Sequence, residues 1–179
     1  MEYMYIAPKQ YMKSSAKMIH RAGKVFSFLG FNITAAHCYL AAFASDSDLS
    51  NAMLLVKVQK CLFKAKLYSS AIVKYSEFMN FSFEVLISEK DSDLEQLKAL
   101  RDALHEQISW IFSITDDFIR KNEWVNGLSP GTEMNTPRII RKMRKFKKMS
   151  DFVQTMLAEQ CSLTKFSFIV DLMVANKER

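Results

Sequence analysis

Apolar positions along this chain recur at intervals of three and four residues over long stretches, which is the period of an α-helix. Met12, Ala16, Ile19, Val25 or Phe26 and Leu29 share one face and predict a helix from Lys9 to Leu29. Gly30 stands where a helix-ending glycine is needed. A short helix from about Ala35 to Ala44 follows, capped by Asn32 or Thr34. The longest periodic run is Leu55, Val58, Leu62, Ala65, Ser69, Ile72, Ser76, Met79, Phe83 and Leu86. Its three-four alternation never slips, so it predicts one long helix from about Leu49 to Ser88 with a heptad-type seam.

Ser92 and Glu95 form a capping-box pattern ahead of the next run. Leu94, Leu97, Leu100 or Arg101, Leu104, Ile108, Ile111 or Phe112, Thr115 and Phe118 then predict an amphipathic helix ending near Asn122. Thr136 and Pro137 mark the start of the last helix, which should run to about Asn176. Its apolar arc is Ile139, Met143 and Phe146, then a wide one of Phe152, Val153, Met156, Leu157, Leu163, Phe166, Ile169, Val170 and Met173. The predicted fold is therefore all-α: a bundle of four long, mostly antiparallel helices plus one short helix. Only four Gly and three Pro occur in 179 residues, too few for the turns of a strand-rich fold. One domain over residues 1–179 is expected, with an N-terminal arm at 1–8 and a loop at 123–136.

Charge changes the picture more than composition does. The net charge is +6, and it is unevenly placed. Lys9, Lys13, Lys17, Arg21 and Lys24 form a stripe on the first helix, and no acid lies between Tyr3 and Ser45. Lys57, Lys60, Lys64, Lys66 and Lys74 form a second. The third is Arg138, Arg141, Lys142, Arg144, Lys145, Lys147 and Lys148, seven cations among the twelve residues from Pro137 to Lys148. Between Glu77 and Glu123, by contrast, eleven acids face five bases. A single charge run is usually a solvated face. Three nearly acid-free stripes repel one another and call for a partner that neutralises them.

The uncharged run from Val25 to Ser45 follows the first stripe and resembles the core of a signal or spanning segment. Ser27, Gly30, Asn32, Thr34 and His37 interrupt it and are costly in hydrocarbon. The expected reading is a buried helix broken at Gly30-Phe31-Asn32.

Catalytic chemistry has little to start from. His37 reads as a hydrogen-bonded core residue and His105 as a solvated or capped one. Asp116 and Asp117 point about 100° apart on a helix and form no dyad. No phosphate loop, cofactor motif or metal-ligand spacing occurs. Cys38, Cys61 and Cys161 read as buried free thiols in a reducing, cytoplasmic setting. The abundant Phe and Met read as core filling.

The function expected from these features is a non-catalytic binding or scaffold protein. Its partner would be an acidic protein, or a second copy paired through basic and acidic helices. RNA or DNA bound without sequence preference through residues 137–148 is the alternative. An anionic membrane surface is a further one. The candidate contacts are Arg138, Arg141, Lys142, Arg144, Lys145, Lys148, Lys13, Lys17, Arg21, Lys57, Lys60 and Lys64.

Overall fold

The computed structural model of the protein describes residues 9–45, 52–87, 94–126 and 137–179, with side chains described outside 9–14, 121–143 and 145. These residues form α1 (Lys9–Phe28), α2 (Asn32–Ser45), α3 (Ala52–Lys64), α4 (Tyr68–Ile87), α5 (Leu94–Asn126) and α6 (Pro137–Lys177). No strand occurs among them. The all-α class is as expected, but six helices replace four long ones and a short one. The arm at 1–8, the helix-start residues Ser92 and Thr136, and most of the expected loop lie outside the described residues. Helix α5 continues through Asn126, past the expected end near Asn122. Internal contacts divide the chain into two compact units, Met1–Leu100 and Arg101–Arg179.

In the first unit, consecutive helices pack against one another, α1 on α2, α2 on α3 and α3 on α4. Helix α2 lies between two neighbours, which explains why its sequence is uncharged. Ala35, Ala36 and Ala42 are buried, and their small side chains allow close approach. The approach is close at Gly23, which is buried on α1. A Cβ there would lie 2.7 Å from Tyr39 Cε1. The turn between α1 and α2 is a Schellman motif. Gly30 has φ of +83°, its N–H reaches Ser27 O at 3.2 Å, and Phe31 N–H reaches Phe26 O at 2.9 Å. The Phe26 and Phe31 rings meet edge-on with centroids 6.4 Å apart, inside the roughly 4.5–7 Å range of such pairs.

The single helix expected from Leu49 to Ser88 is two helices. Lys66 takes φ of 65° and closes α3 with the same motif. Its N–H bonds Phe63 O and Leu67 N–H bonds Leu62 O, both at 2.9 Å. The turn resets the helical phase, so the expected seam holds on α3, whereas on α4 only Met79 of it is buried. Leu55, Val58 and Leu62 are buried, but Ser69, Ser76 and Phe83 are exposed. The buried face of α4 is Ala71, Tyr75, Phe78, Met79, Ser82 and Val85.

In the second unit α5 and α6 run antiparallel. Phe118 stacks on Phe146 at 5.1 Å, Trp110 meets Phe152 at 6.1 Å, and His105 Nε2 lies 3.3 Å from Asp171. Phe152, Val153, Met156, Leu163, Phe166 and Val170 are buried as expected. Leu157 and Ile169, placed on the same arc by pattern, are exposed. On α5 the fully buried side chain next to Ile108 is Gln107. The cysteines are free, but only Cys61 is buried; Cys38 is half-buried and Cys161 exposed. Core filling accounts for Phe78, Phe152, Phe166, Met79, Met149 and Met156, while Phe28, Phe31, Phe83, Phe112, Phe168 and Met18 are exposed.

Candidate anion-binding surface

Two of the basic stripes meet. On α1, Lys17, Arg21 and Lys24 are exposed, and the side chain of Lys13 lies outside the described residues. On α3, Lys64 is exposed and Lys57 and Lys60 are half-buried. Lys57 Nζ lies 3.0 Å from His20 Nε2, and Cys61 Sγ lies 3.9 Å from Ser27 Oγ. His20 precedes Ser27 as Lys57 precedes Cys61, so α1 and α3 run parallel. Ser27 stands three residues before Gly30 and Cys61 three before Lys64, so the two helices end at the same end of the unit. The second stripe stops there. Lys74, expected to extend it, sits on α4 and pairs with Glu77 at 2.7 Å.

The contact between the stripes has a definite polarity. An ammonium has no acceptor, so Lys57 donates and His20 accepts through a neutral ring, with its proton on Nδ1. Burial holds the pKa of His20 below its ordinary value, and the charges of Lys57 and Lys24 push it the same way. The Lys57 ammonium also lies 5.8 Å from the centre of the Tyr39 ring, within reach of a cation–π attraction. His20 meets that ring edge-on at 5.7 Å. Burial raises the pKa of Tyr39 and of the Cys61 thiol, keeping both neutral. Neutral aromatic and imidazole groups therefore lie against Lys57 at this junction.

The third stripe belongs to the second unit. Arg144, Lys147 and Lys148 are exposed on α6, while Phe146 turns toward Phe118. Arg138, Arg141, Lys142 and Lys145 stand on the same helix, but their side chains lie outside the described residues. Neither other histidine makes a catalytic arrangement. His37, expected in the core, is exposed because it faces away from both neighbours of α2. His105 is exposed beside Asp171. Among the described residues no group of three His, Cys, Asp or Glu side chains is placed to hold a metal ion.

One feature of the surface escaped the sequence pattern. At the end of the unit where α1 and α3 terminate, the Gly30 turn leaves Phe28 90% exposed. Val25, Leu29, Phe31 and Ile33 are exposed by 51–58%. The sequence places Val25 and Leu29 on the core face of the first helix and expects the uncharged run to be buried. The legible signal was the sharp junction between Lys24 and the uncharged run. No described helix is long and apolar enough to cross a membrane.

No protein-family model matches the chain, and no curated protein or solved structure matches it either.

Proposed function

We propose that the protein is a non-catalytic binding module that docks an anionic partner through the joined basic face of α1 and α3. The observation behind this reading is the contact of Lys57 with His20, which places two acid-free stripes side by side. Phosphates or carboxylates would relieve the mutual repulsion of Lys17, Arg21, Lys24 and Lys64. An acidic protein surface is one such partner. A second copy would offer one, since Asp102, Glu106, Asp116 and Asp117 are exposed on α5. The test is a binding titration against salt with fluorescent polyglutamate, duplex RNA and phosphatidylserine vesicles, together with light scattering for self-association. Wild type should bind a polyanion or itself at about 50 mM salt and weaken as salt rises. The variant R21E/K24E/K64E should lose that binding. Absence of both binding and self-association at low salt overturns the reading.

A second reading has its own support. The inward turn of Phe146 leaves Arg144, Lys147 and Lys148 outward, the arrangement that backbone contact with a nucleic acid requires. Here the variant R144E/K147E/K148E should lose RNA and duplex DNA alike, because phosphate contacts carry no sequence preference. Binding that survives this change places the nucleic-acid contact elsewhere.

A further inference from the structure

We infer that the end of the first unit carrying the Gly30 and Lys66 turns inserts into an anionic lipid bilayer. This rests on the reading of the α1/α3 face as anion-seeking and adds the partner's chemistry. Phe28, Leu29, Phe31 and Ile33 are exposed at the Gly30 turn. Leu67, 40% exposed, follows Lys66 at the neighbouring turn. The register set by Ser27 and Cys61 brings both turns to one end.

The neighbouring charge selects the occupant. Lys24 lies one turn behind Phe28, about 6 Å along α1, and Arg21 about 10 Å behind. Interfacial helices bury their apolar side about 5–10 Å into the headgroup boundary. Insertion to the depth of Phe28 therefore brings Lys24 and Arg21 level with lipid phosphates, with Lys64 and Lys66 alongside. Their alkyl stems lie along the apolar zone while the charged heads stay in water. The exposed apolar side chains beside acids lack this setting. Ile87 follows Glu84 at the far end of α4, and Phe112 and Ile119 flank Asp116 and Asp117. A protruding turn also suits a bilayer, whereas an acidic protein would need a matching groove.

The test uses the full chain and vesicles of phosphatidylcholine alone or with about 30% phosphatidylserine, read by flotation. Binding should require phosphatidylserine. Replacing both rings, F28S/F31S, should weaken it by at least about tenfold while polyglutamate binding is kept. Circular dichroism and melting temperature report whether that variant still folds. A second variant, Phe28→Trp, keeps the tip apolar. Its added emission should shift to the blue on phosphatidylserine vesicles and be quenched by brominated acyl chains. Wild type that binds polyglutamate but no vesicles overturns this inference and leaves the anion-binding reading standing. Binding of F28S/F31S equal to wild type, or a Phe28→Trp probe that bromine does not quench, also overturns it. Loss of every anion overturns both.

Discussion

The two hairpins of the first unit make the same turn with different residues. The α1–α2 hairpin turns at Gly30 and the α3–α4 hairpin at Lys66. Each left-handed residue completes the same pair of backbone bonds, and each is followed by an apolar residue. Glycine adopts this conformation without a Cβ penalty, whereas an ordinary L-residue pays about 1–2 kcal/mol. The Lys66 turn must therefore be held by what it connects, the burial of α3 and α4 against each other. A turn of that kind leaves no mark in a local pattern.

The first way to sharpen the contrast is at Gly23, where the α1–α2 hairpin depends on a missing side chain. Gly23→Ala places a methyl group 2.7 Å from Tyr39, whose ring is buried and braced by His20. Overpacking of this kind costs about 1–3 kcal/mol, against a gain of up to about 1 kcal/mol in helix propensity. A net loss is expected, read as a lower urea midpoint with an unchanged slope. An unchanged midpoint would mean that α1 slides on α2 at little cost. Gly30→Ala should follow, with a loss of about 1 kcal/mol from φ alone, since nothing lies within 4 Å of its added Cβ. Lys66→Gly should move in the other direction. It removes native strain but adds unfolded-state freedom, leaving a net gain of about 0.5 kcal/mol. Equal losses at both turns would show that the two share no common backbone geometry.

The legibility of the chain divides along the same line. The Gly30 end of α1, the Pro137 start of α6 and the all-α class could be read, because glycine, proline and period each carry a local backbone preference. The break at Lys66 could not, because Leu62, Ala65 and Ser69 keep a heptad rhythm straight through it. The register of buried residues on α4 was lost with it. At the candidate surface, the cations of α1 and α3 were legible as stripes, but their adjacency depends on α2 lying between the helices. The role of His20 as acceptor for Lys57 joins residues 37 positions apart, a pairing that no spacing rule reports. Exposure of Phe28 and Phe31 was hidden by the rule that apolar residues go inside, which runs in one direction only.

The smallest effect lies where the two hairpins meet, and it depends on pH. His20 is held neutral by burial and by the cations Lys57 and Lys24, so its folded pKa lies below the unfolded value of about 6.5. The unfolded chain then binds the proton first as pH falls. The contribution of His20 to stability is complete above about pH 6.5 and declines as pH drops toward the folded pKa. Below that value no further loss comes from this residue. Lys57→Met removes one of the two charges and the hydrogen-bond donor but leaves burial, the larger cause. The folded pKa should therefore rise only part of the way toward 6.5. Titration of the His20 ring protons by NMR reads this directly, and chemical denaturation between pH 5 and 8 should show a shallower decline in the variant. A His20 pKa unmoved by Lys57→Met would mean that the 3.0 Å contact does not persist in solution and that the two hairpins are joined by burial alone.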